Sequence, residues 1–158
     1  MAAPQKCLQT TLVLVKPDGL ARGLAGECLR RFERAGLEIV AARVVRLTRP
    51  AAKRLRADLR RLPPALLSAV LDYATEGNLL ALVLRGPAAV APARALCGHA
   101  DPAQARAGTI RGDFALGDMR LLAQAGRAVR NVVHSAATPR AAAREIRLVF
   151  GHPPQFTP

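Results

Sequence analysis

The chain has 158 residues, about the size of one ordinary domain, and 51% of them are hydrophobic, which is enough for a single core. It contains no long uncharged apolar run and no charged-then-apolar leader, so we expect neither a membrane span nor a secretory signal, and a cytoplasmic protein. The formal net charge of +13 suits polyanionic partners such as nucleotides or nucleic acid, although an arginine-biased genome would give the same composition.

The first third of the chain alternates between strand and helix signals. The β-branched run TTLVLV at residues 10–15 predicts a strand, and the turn-forming sequence KPDG at residues 16–19 predicts a loop after it. From Leu24 the apolar residues recur at helical spacing until Gly36, which predicts a helix and its end. A second strand is predicted over residues 37–47.

The middle of the chain is predicted to be mostly helical. Two short helices are predicted over residues 50–62 and 64–77, where a pair of prolines separates them. The apolar run NLLALVL at residues 78–84 predicts a buried strand. Gly86-Pro87 is then predicted to open a further helix that continues to about Leu96.

The last third contains a long loop and the clearest helix. The loop is predicted from Gly98 to Gly108, and its length favours a functional role. A short strand is predicted near residues 114–116. The final helix is predicted to begin with Thr138 as its N-cap and Pro139 in its first turn, and to end at Gly151.

Strands that alternate with helices predict a layered α/β or α+β domain, and the pattern does not choose between parallel and antiparallel pairing. Without repeats or linkers, we expect one domain over residues 1–158, with a core at 9–150 and a loose tail at 151–158. The cysteines are far apart and form no CxxC pair, which favours reduced, packed thiols over disulfides or a zinc site: Cys7, Cys28 and Cys97.

Several cationic and polar residues fall at the ends of predicted elements or in loops, where a ligand could reach them: Lys16, Arg94, Arg111, Asn131 and His134. Arginine binds phosphate oxygens bidentately, lysine supplies a mobile charge, and histidine is basic enough to attack phosphorus. The set therefore suits a phosphorylated ligand. With 24 Lys and Arg in the chain it could also arise by chance, and His134 alone could be an ordinary core histidine.

Three motifs in fixed order, KPDG, GTIRGDF and RNVVH, resemble those of the nucleoside diphosphate kinase family, and the similarity extends from about residue 10 to 150. The resemblance implies an α+β fold of ferredoxin-like topology, in which helices cover a four-stranded antiparallel sheet. It also implies an enzyme that passes the γ-phosphate of a nucleoside triphosphate to a nucleoside diphosphate through a phosphohistidine. Mg²⁺ would be bound through the nucleotide phosphates and not by protein side chains.

The resemblance also assigns roles to particular residues. His134 would be the nucleophile and Glu145 the carboxylate that orients its imidazole. The phosphates and sugar would be bound by a set of polar residues: Lys16, Arg94, Arg111 and Asn131. Leu66 and Leu67, with Val70 one turn further on, are the candidates in the region of the family's base-stacking phenylalanine, so an aliphatic clamp is predicted. The expected partners are ATP and other nucleoside tri- and diphosphates and further copies of the chain, with nucleic acid secondary and no membrane.

The sequence departs from the family pattern at several points. His134 is followed by Ser135, Ala136 and Ala137 where a serine two places after the histidine and then an aspartate are usual. Ala100 replaces a phosphate-contacting threonine, and Arg56 stands about where a tyrosine is usual. These changes leave open a low-activity family member that acts as a basic nucleotide- or nucleic-acid-binding protein, or a structural partner of an active paralogue.

The segment between Phe114 and Asn131 is longer than the family pattern, and the extra residues fall at about 117–127. So close to the nucleophile, the segment could form part of the pocket wall or an oligomer contact. An inert surface excursion is the other interpretation.

Overall fold

A four-stranded antiparallel sheet organises the computed structural model, which describes residues 8–151. The strands lie in the order β2-β3-β1-β4, which confirms the predicted ferredoxin-like sheet. The strands are β1 (Leu8–Val15), β2 (Glu38–Val45), β3 (Leu79–Pro87) and β4 (Val133–Ser135).

Helices connect the strands and cover both faces of the sheet. They are α1 (Pro17–Ala21), α2 (Ala25–Arg34), α3 (Arg49–Leu55), α4 (Pro64–Thr75), α5 (Val90–Cys97), α6 (Ile110–Phe114), α7 (Met119–Gln124) and α8 (Pro139–Phe150). Within residues 8–151 no helix is both long and apolar enough to cross a bilayer. Cys28 and Cys97 are buried free thiols, as predicted, whereas Cys7 lies outside the described residues.

The alternation of β1 divides the core into two layers. Val13 and Val15 point to one face, where they pack with Phe32 of α2 and with residues of α5 and α6. Leu12 and Leu14 point to the other face, which α3, α4 and α8 cover. All four β1 side chains are buried, so the strand is apolar on both faces, as a central strand requires. Because β1 pairs with β4, it sets which face each β4 residue occupies.

Near the motifs one predicted element is wrong and one strand was not predicted. Residues 114–116 form no strand: α6 occupies residues 110–114, because the Thr109 hydroxyl accepts a hydrogen bond from Gly112 N–H and starts a helix there. The fourth strand is β4 instead, and its three residues are too few for a period-2 pattern to reveal.

Other boundaries also differ from the prediction. The predicted loop at 16–19 runs into α1, whose first residue is Pro17, because proline suits the first turn of a helix. Gly86-Pro87 completes β3, and the following helix begins only at Val90. The final helix has the predicted Thr138 cap, which accepts a hydrogen bond from Ala141 N–H at 3.1 Å. The predicted tail lies outside the described residues, apart from Gly151.

Asp18 in α1 is buried and joins three parts of the fold. Its carboxylate accepts hydrogen bonds from the Tyr73 hydroxyl and, at 3.2 Å, from Val132 N–H. In Asp18→Ala both donors lose their partner in the interior, so we expect the free energy of unfolding to fall by roughly 2–4 kcal/mol. Asp72→Ala is the control, because Asp72 forms an ion pair with Arg49 at the exposed surface. This change should lower the free energy of unfolding by less than about 1 kcal/mol. Urea denaturation measures the free energy of unfolding of both variants. Equal decreases in the two variants would contradict the role of Asp18.

Candidate active site

His134 lies at the centre of β4 and faces a carboxylate from the last helix. It pairs with Leu14 of β1 and so points to the sheet face that α8 covers. Its Nε2 lies 2.8 Å from Oε2 of Glu145, a residue only 3% exposed. A carboxylate can only accept, so Nε2 carries the proton and donates it in this hydrogen bond. The other ring nitrogen, Nδ1, is left with its lone pair free.

Burial favours the neutral form of this imidazole. Loss of solvent lowers the pKa of His134 below its ordinary value, and the positive charges of Arg56 and Lys16 lower it further, against the opposing effect of Glu145. Because the ordinary histidine pKa lies near 6.5, His134 is neutral at pH 7. A neutral imidazole with an unprotonated Nδ1 is the nucleophilic form.

Lys16 and Asn131 form a hydrogen-bonded pair beside the histidine. The Lys16 ammonium donates to Oδ1 of Asn131 at 2.5 Å and lies 5.2 Å from the centre of the Tyr73 ring. Asn131 in turn donates to the carbonyl of Ala100 at 2.6 Å. Burial and the nearby guanidinium groups of Arg56 and Arg111 lower the pKa of Lys16. An anion placed among these groups would offset their mutual repulsion, so the arrangement favours a negatively charged ligand.

Arg111 connects the 98–108 loop to β4 and keeps one donor unused. Its guanidinium donates to the carbonyls of Gly98 and Val133, both at 2.8 Å. The Nε group is buried and has no hydrogen-bond partner within residues 8–151. A buried guanidinium with an unused N–H is a suitable donor for a phosphate oxygen, since leaving it unpaired is unfavourable.

One cavity of about 700 Å³ brings together eight of the residues that the sequence singled out for the site, whereas Leu67 packs against the core. The eight are His134, Glu145, Lys16, Arg94, Arg111, Asn131, Leu66 and Val70. The volume suits a ligand of nucleotide size. Arg94 has no hydrogen bond or ion pair from its side chain to residues 8–151, so its guanidinium is available to a ligand. The cavity combines several cations and a neutral imidazole with aliphatic side chains, which suits a phosphorylated ligand that also has an apolar group.

Three arginines outside the predicted site also line the cavity: Arg56, Arg127 and Arg144. Arg56 forms a 3.2 Å ion pair with Asp58, and Arg144 donates to Oε1 of Glu145 at 3.2 Å. The sequence indicated that Arg56 could reach the site, because it stands about where the family usually has a tyrosine. The signal for Arg144 was its position next to Glu145, which alone does not reveal a contact.

Ser135 does not replace the family's missing serine. Its neighbour His134 points to the α8 side of the sheet, and the alternation of β4 places Ser135 on the opposite face. There it lies near the buried thiol of Cys97. The Glu145 carboxylate nevertheless has partners on both oxygens, because Arg144 holds the oxygen that His134 does not.

Comparison with known proteins agrees with the motifs and the fold. The family model described as Nucleoside diphosphate kinase matches residues 9–154. A relative of that name from Archaeoglobus fulgidus is 43% identical, and the match covers 90% of this chain and 87% of the relative. Another relative of that name, from Staphylothermus marinus, is 40% identical, and the match covers 90% of this chain and 92% of the relative. A solved structure of the nucleoside-diphosphate kinase from Borrelia burgdorferi, a transition state mimic with bound vanadate and ADP, has a TM-score of 0.83 and 35% identity, covering 89% of this chain and 86% of that one.

These relatives are named for the activity that the motifs predicted, and they cover most of the chain. The alternative of a low-activity family member that acts as a basic nucleotide- or nucleic-acid-binding protein is not favoured by them. The chain belongs to the nucleoside diphosphate kinase family and is an enzyme of that activity.

Proposed function

We propose that His134 carries the phosphoryl group that this enzyme transfers from a nucleoside triphosphate to a nucleoside diphosphate. The observation that carries the proposal is the 2.8 Å hydrogen bond between Nε2 and the buried Glu145, which leaves Nδ1 as the nucleophile. The same cavity holds the cations that a phosphoryl group needs around it.

The reaction balances with no proton transfer at the nucleophile. The Nδ1 lone pair of His134 attacks the γ-phosphorus, an N–P bond forms, and the bond from phosphorus to the bridging oxygen breaks, so a nucleoside diphosphate leaves. A terminal phosphate oxygen of the second nucleoside diphosphate then attacks the same phosphorus, and the N–P bond breaks. The Nε2 proton stays with His134 throughout, and Glu145 stabilises the charge that the ring gains when phosphorylated.

Charge stabilisation is assigned to Lys16, Arg94 and Arg111. Phosphoryl transfer passes through a loose transition state in which negative charge spreads over the three equatorial oxygens, so catalysis depends on positioned cations. Lys16 and Arg111 are fixed by hydrogen bonds to the protein before any ligand binds. Such preorganisation avoids reorganisation during the reaction. Arg56 also lines this part of the cavity, and it adds a cation where the resemblance has a tyrosine.

The remainder of the nucleotide is assigned to Asn131, Leu66 and Val70. Asn131 is oriented by its hydrogen bond to the Ala100 carbonyl and would bind the ribose. Leu66 and Val70 of α4 would contact the base as an aliphatic clamp. An aliphatic surface lacks the directional stacking of an aromatic ring, which suits an enzyme that accepts several bases.

We assign Mg²⁺ to the nucleotide phosphates, as part of the substrate. Asp58 and Glu145 are the carboxylates of the cavity in the described part of the chain, and both already have cationic partners or a histidine donor. Residues 8–151 also contain no cluster of three or more His, Cys, Asp or Glu side chains suited to hold a metal. The donor set therefore fits a metal carried by phosphate oxygens, where it would neutralise part of their charge.

Domain organisation, assembly and location are proposed on the same basis. A single domain over residues 1–158, with its core at 9–150, is supported by one sheet whose two faces carry the described core. A homo-oligomer is supported by β2, an edge strand on which Val44 is 60% exposed. A cytoplasmic location is supported by the free thiols of Cys28 and Cys97, which are typical of reducing compartments.

The proposal is tested by incubating the protein with γ-labelled ATP and then adding GDP. We expect an acid-labile, base-stable phosphoprotein, and we expect the label to move to GTP when GDP is added. A protein that only binds nucleic acid would show no label and would instead retain nucleic acid with an affinity that falls steeply with salt. Absence of label in the presence of bound ATP would contradict the proposed function.

A further inference from the structure

The extra segment at about residues 117–127 is an ordered part of the cavity wall. Its helix, α7, is capped by Asp118, whose side chain accepts a hydrogen bond from Leu121 N–H at 3.0 Å. The first residue of α7, Met119, also donates its backbone N–H to Asp101 at 3.0 Å. Asp101 belongs to the 98–108 loop and is buried, so the segment is attached to a loop that itself lines the site.

The attachment is strengthened by the other bonds of Asp101. Its carboxylate also accepts from Ala103 N–H at 3.2 Å and from the Gln104 side chain at 3.1 Å. These bonds, and above all the one from Met119, lower the pKa of Asp101. The carboxylate therefore remains charged at neutral pH, and α7 is held against the loop.

The lining of the cavity contains both charged and apolar side chains. His134, Lys16 and Arg111 supply its nucleophile and cations, whereas Leu66 of α4 and Met119 of α7 supply apolar surface. A nucleotide has a charged phosphate end and a flat, largely apolar base. When its phosphates lie at His134, the base falls among the apolar side chains of the same cavity.

We propose that α7 is part of the base-binding surface, where Met119 and Ala123 contact the nucleobase together with Leu66; this inference rests on the proposed function. Both α7 residues line the cavity and are partly buried. A thioether makes favourable contacts with aromatic rings and adapts to rings of different size. The inserted helix thus restores base contact in a chain whose clamp has lost its aromatic ring.

The same helix supplies a matched control. Leu121 is 57% exposed and is absent from the cavity lining, although it lies two residues from Met119 on the same short helix. A change at Leu121 therefore alters α7 without touching the cavity. If α7 instead formed an oligomer contact, a change at the exposed Leu121 would have the larger effect and a change at Met119 the smaller one.

The test compares Met119→Ala with Leu121→Ala by calorimetric titration with ADP and with inorganic tripolyphosphate, which has no base. We expect Met119→Ala to weaken ADP binding roughly three- to tenfold and to leave tripolyphosphate binding unchanged. Leu121→Ala should bind both as the unaltered protein does, and Met119→Leu should retain most of the ADP affinity. Ala123→Leu, which narrows the same surface, should weaken ADP binding and spare tripolyphosphate.

Equal ADP affinities for Met119→Ala and Leu121→Ala would overturn the proposal, as would an equal loss for both ligands. A loss confined to Leu121→Ala would assign α7 to assembly instead. Labelling of the unaltered protein by γ-labelled ATP is followed in parallel. If the unaltered protein is not labelled but Met119→Ala weakens ADP binding, only the kinase chemistry is refuted. If the unaltered protein is labelled and Met119→Ala leaves ADP affinity unchanged, only the role of α7 is refuted.

Discussion

Replacing His134 with alanine is expected to abolish phosphoprotein formation and to lower turnover by at least about 10⁴-fold. In the proposed mechanism this residue supplies the atom that bonds to phosphorus, and the structure offers no other histidine bonded to a buried carboxylate within residues 8–151. Lys16, Arg94 and Arg111 remain in place, so nucleotide binding should survive. Labelling with γ-labelled ATP and calorimetric titration with ADP measure the two effects separately.

The control for this prediction is His152→Ala, which removes a histidine that has no role in the proposed mechanism. That variant should be labelled to the same extent as the unaltered protein. An acid-labile label that persists in His134→Ala would show that another residue carries the phosphoryl group. A loss of ADP binding in parallel with the loss of label would show instead that the cavity had collapsed.

Replacing Glu145 with glutamine is expected to lower the rate of His134 phosphorylation by about 10²- to 10⁴-fold. A glutamine can present its amide N–H to Nε2, which favours the tautomer with the proton on Nδ1 and so blocks the nucleophilic nitrogen. ADP affinity should change less than about twofold, since Glu145 does not bind the phosphates in the proposed mechanism. Single-turnover labelling gives the rate, and ¹⁵N NMR of the imidazole reports the tautomer.

Glu33→Gln makes the same chemical change on the exposed side of α2, away from the cavity, and should leave both measurements unaltered. If Glu145→Gln were phosphorylated at the normal rate, the carboxylate would have no role in orienting the ring. If the rate fell while Nδ1 stayed unprotonated, Glu145 would act through the charge of the phosphorylated ring and not through the tautomer.

The elements with strong local signals were predictable from the sequence. The first strand was predicted from its β-branched run alone. Helix α8 was predicted from its Thr138 cap, the proline that follows and its apolar face. The strand that carries His134 was missed because β4 has three residues, and its pairing with Leu14 is a long-range contact. The strand predicted at 114–116 failed because the Thr109 cap favours a helix.

The residues of the candidate site were chosen mainly through motifs, because they come together only in the fold. Spacing alone could not place Lys16 against Asn131, which lie 115 residues apart in the chain. The position of Arg56 in the cavity could not be predicted for the same reason. The position of the inserted segment depends on a hydrogen bond from Met119 to Asp101, which no periodic pattern in the sequence indicates. Physical chemistry could name the residue types, but the tertiary structure decides which of 24 lysines and arginines reach the cavity.

The most direct measurement is the position of the phosphoryl group on the histidine ring. The unaltered protein is labelled with γ-labelled ATP, kept at alkaline pH, digested, and the phosphohistidine isomer at residue 134 is identified by chromatography against both standards. The hydrogen bond from Nε2 to Glu145 predicts the isomer phosphorylated on Nδ1. Phosphate on Nε2, or on a residue other than His134, would contradict the account.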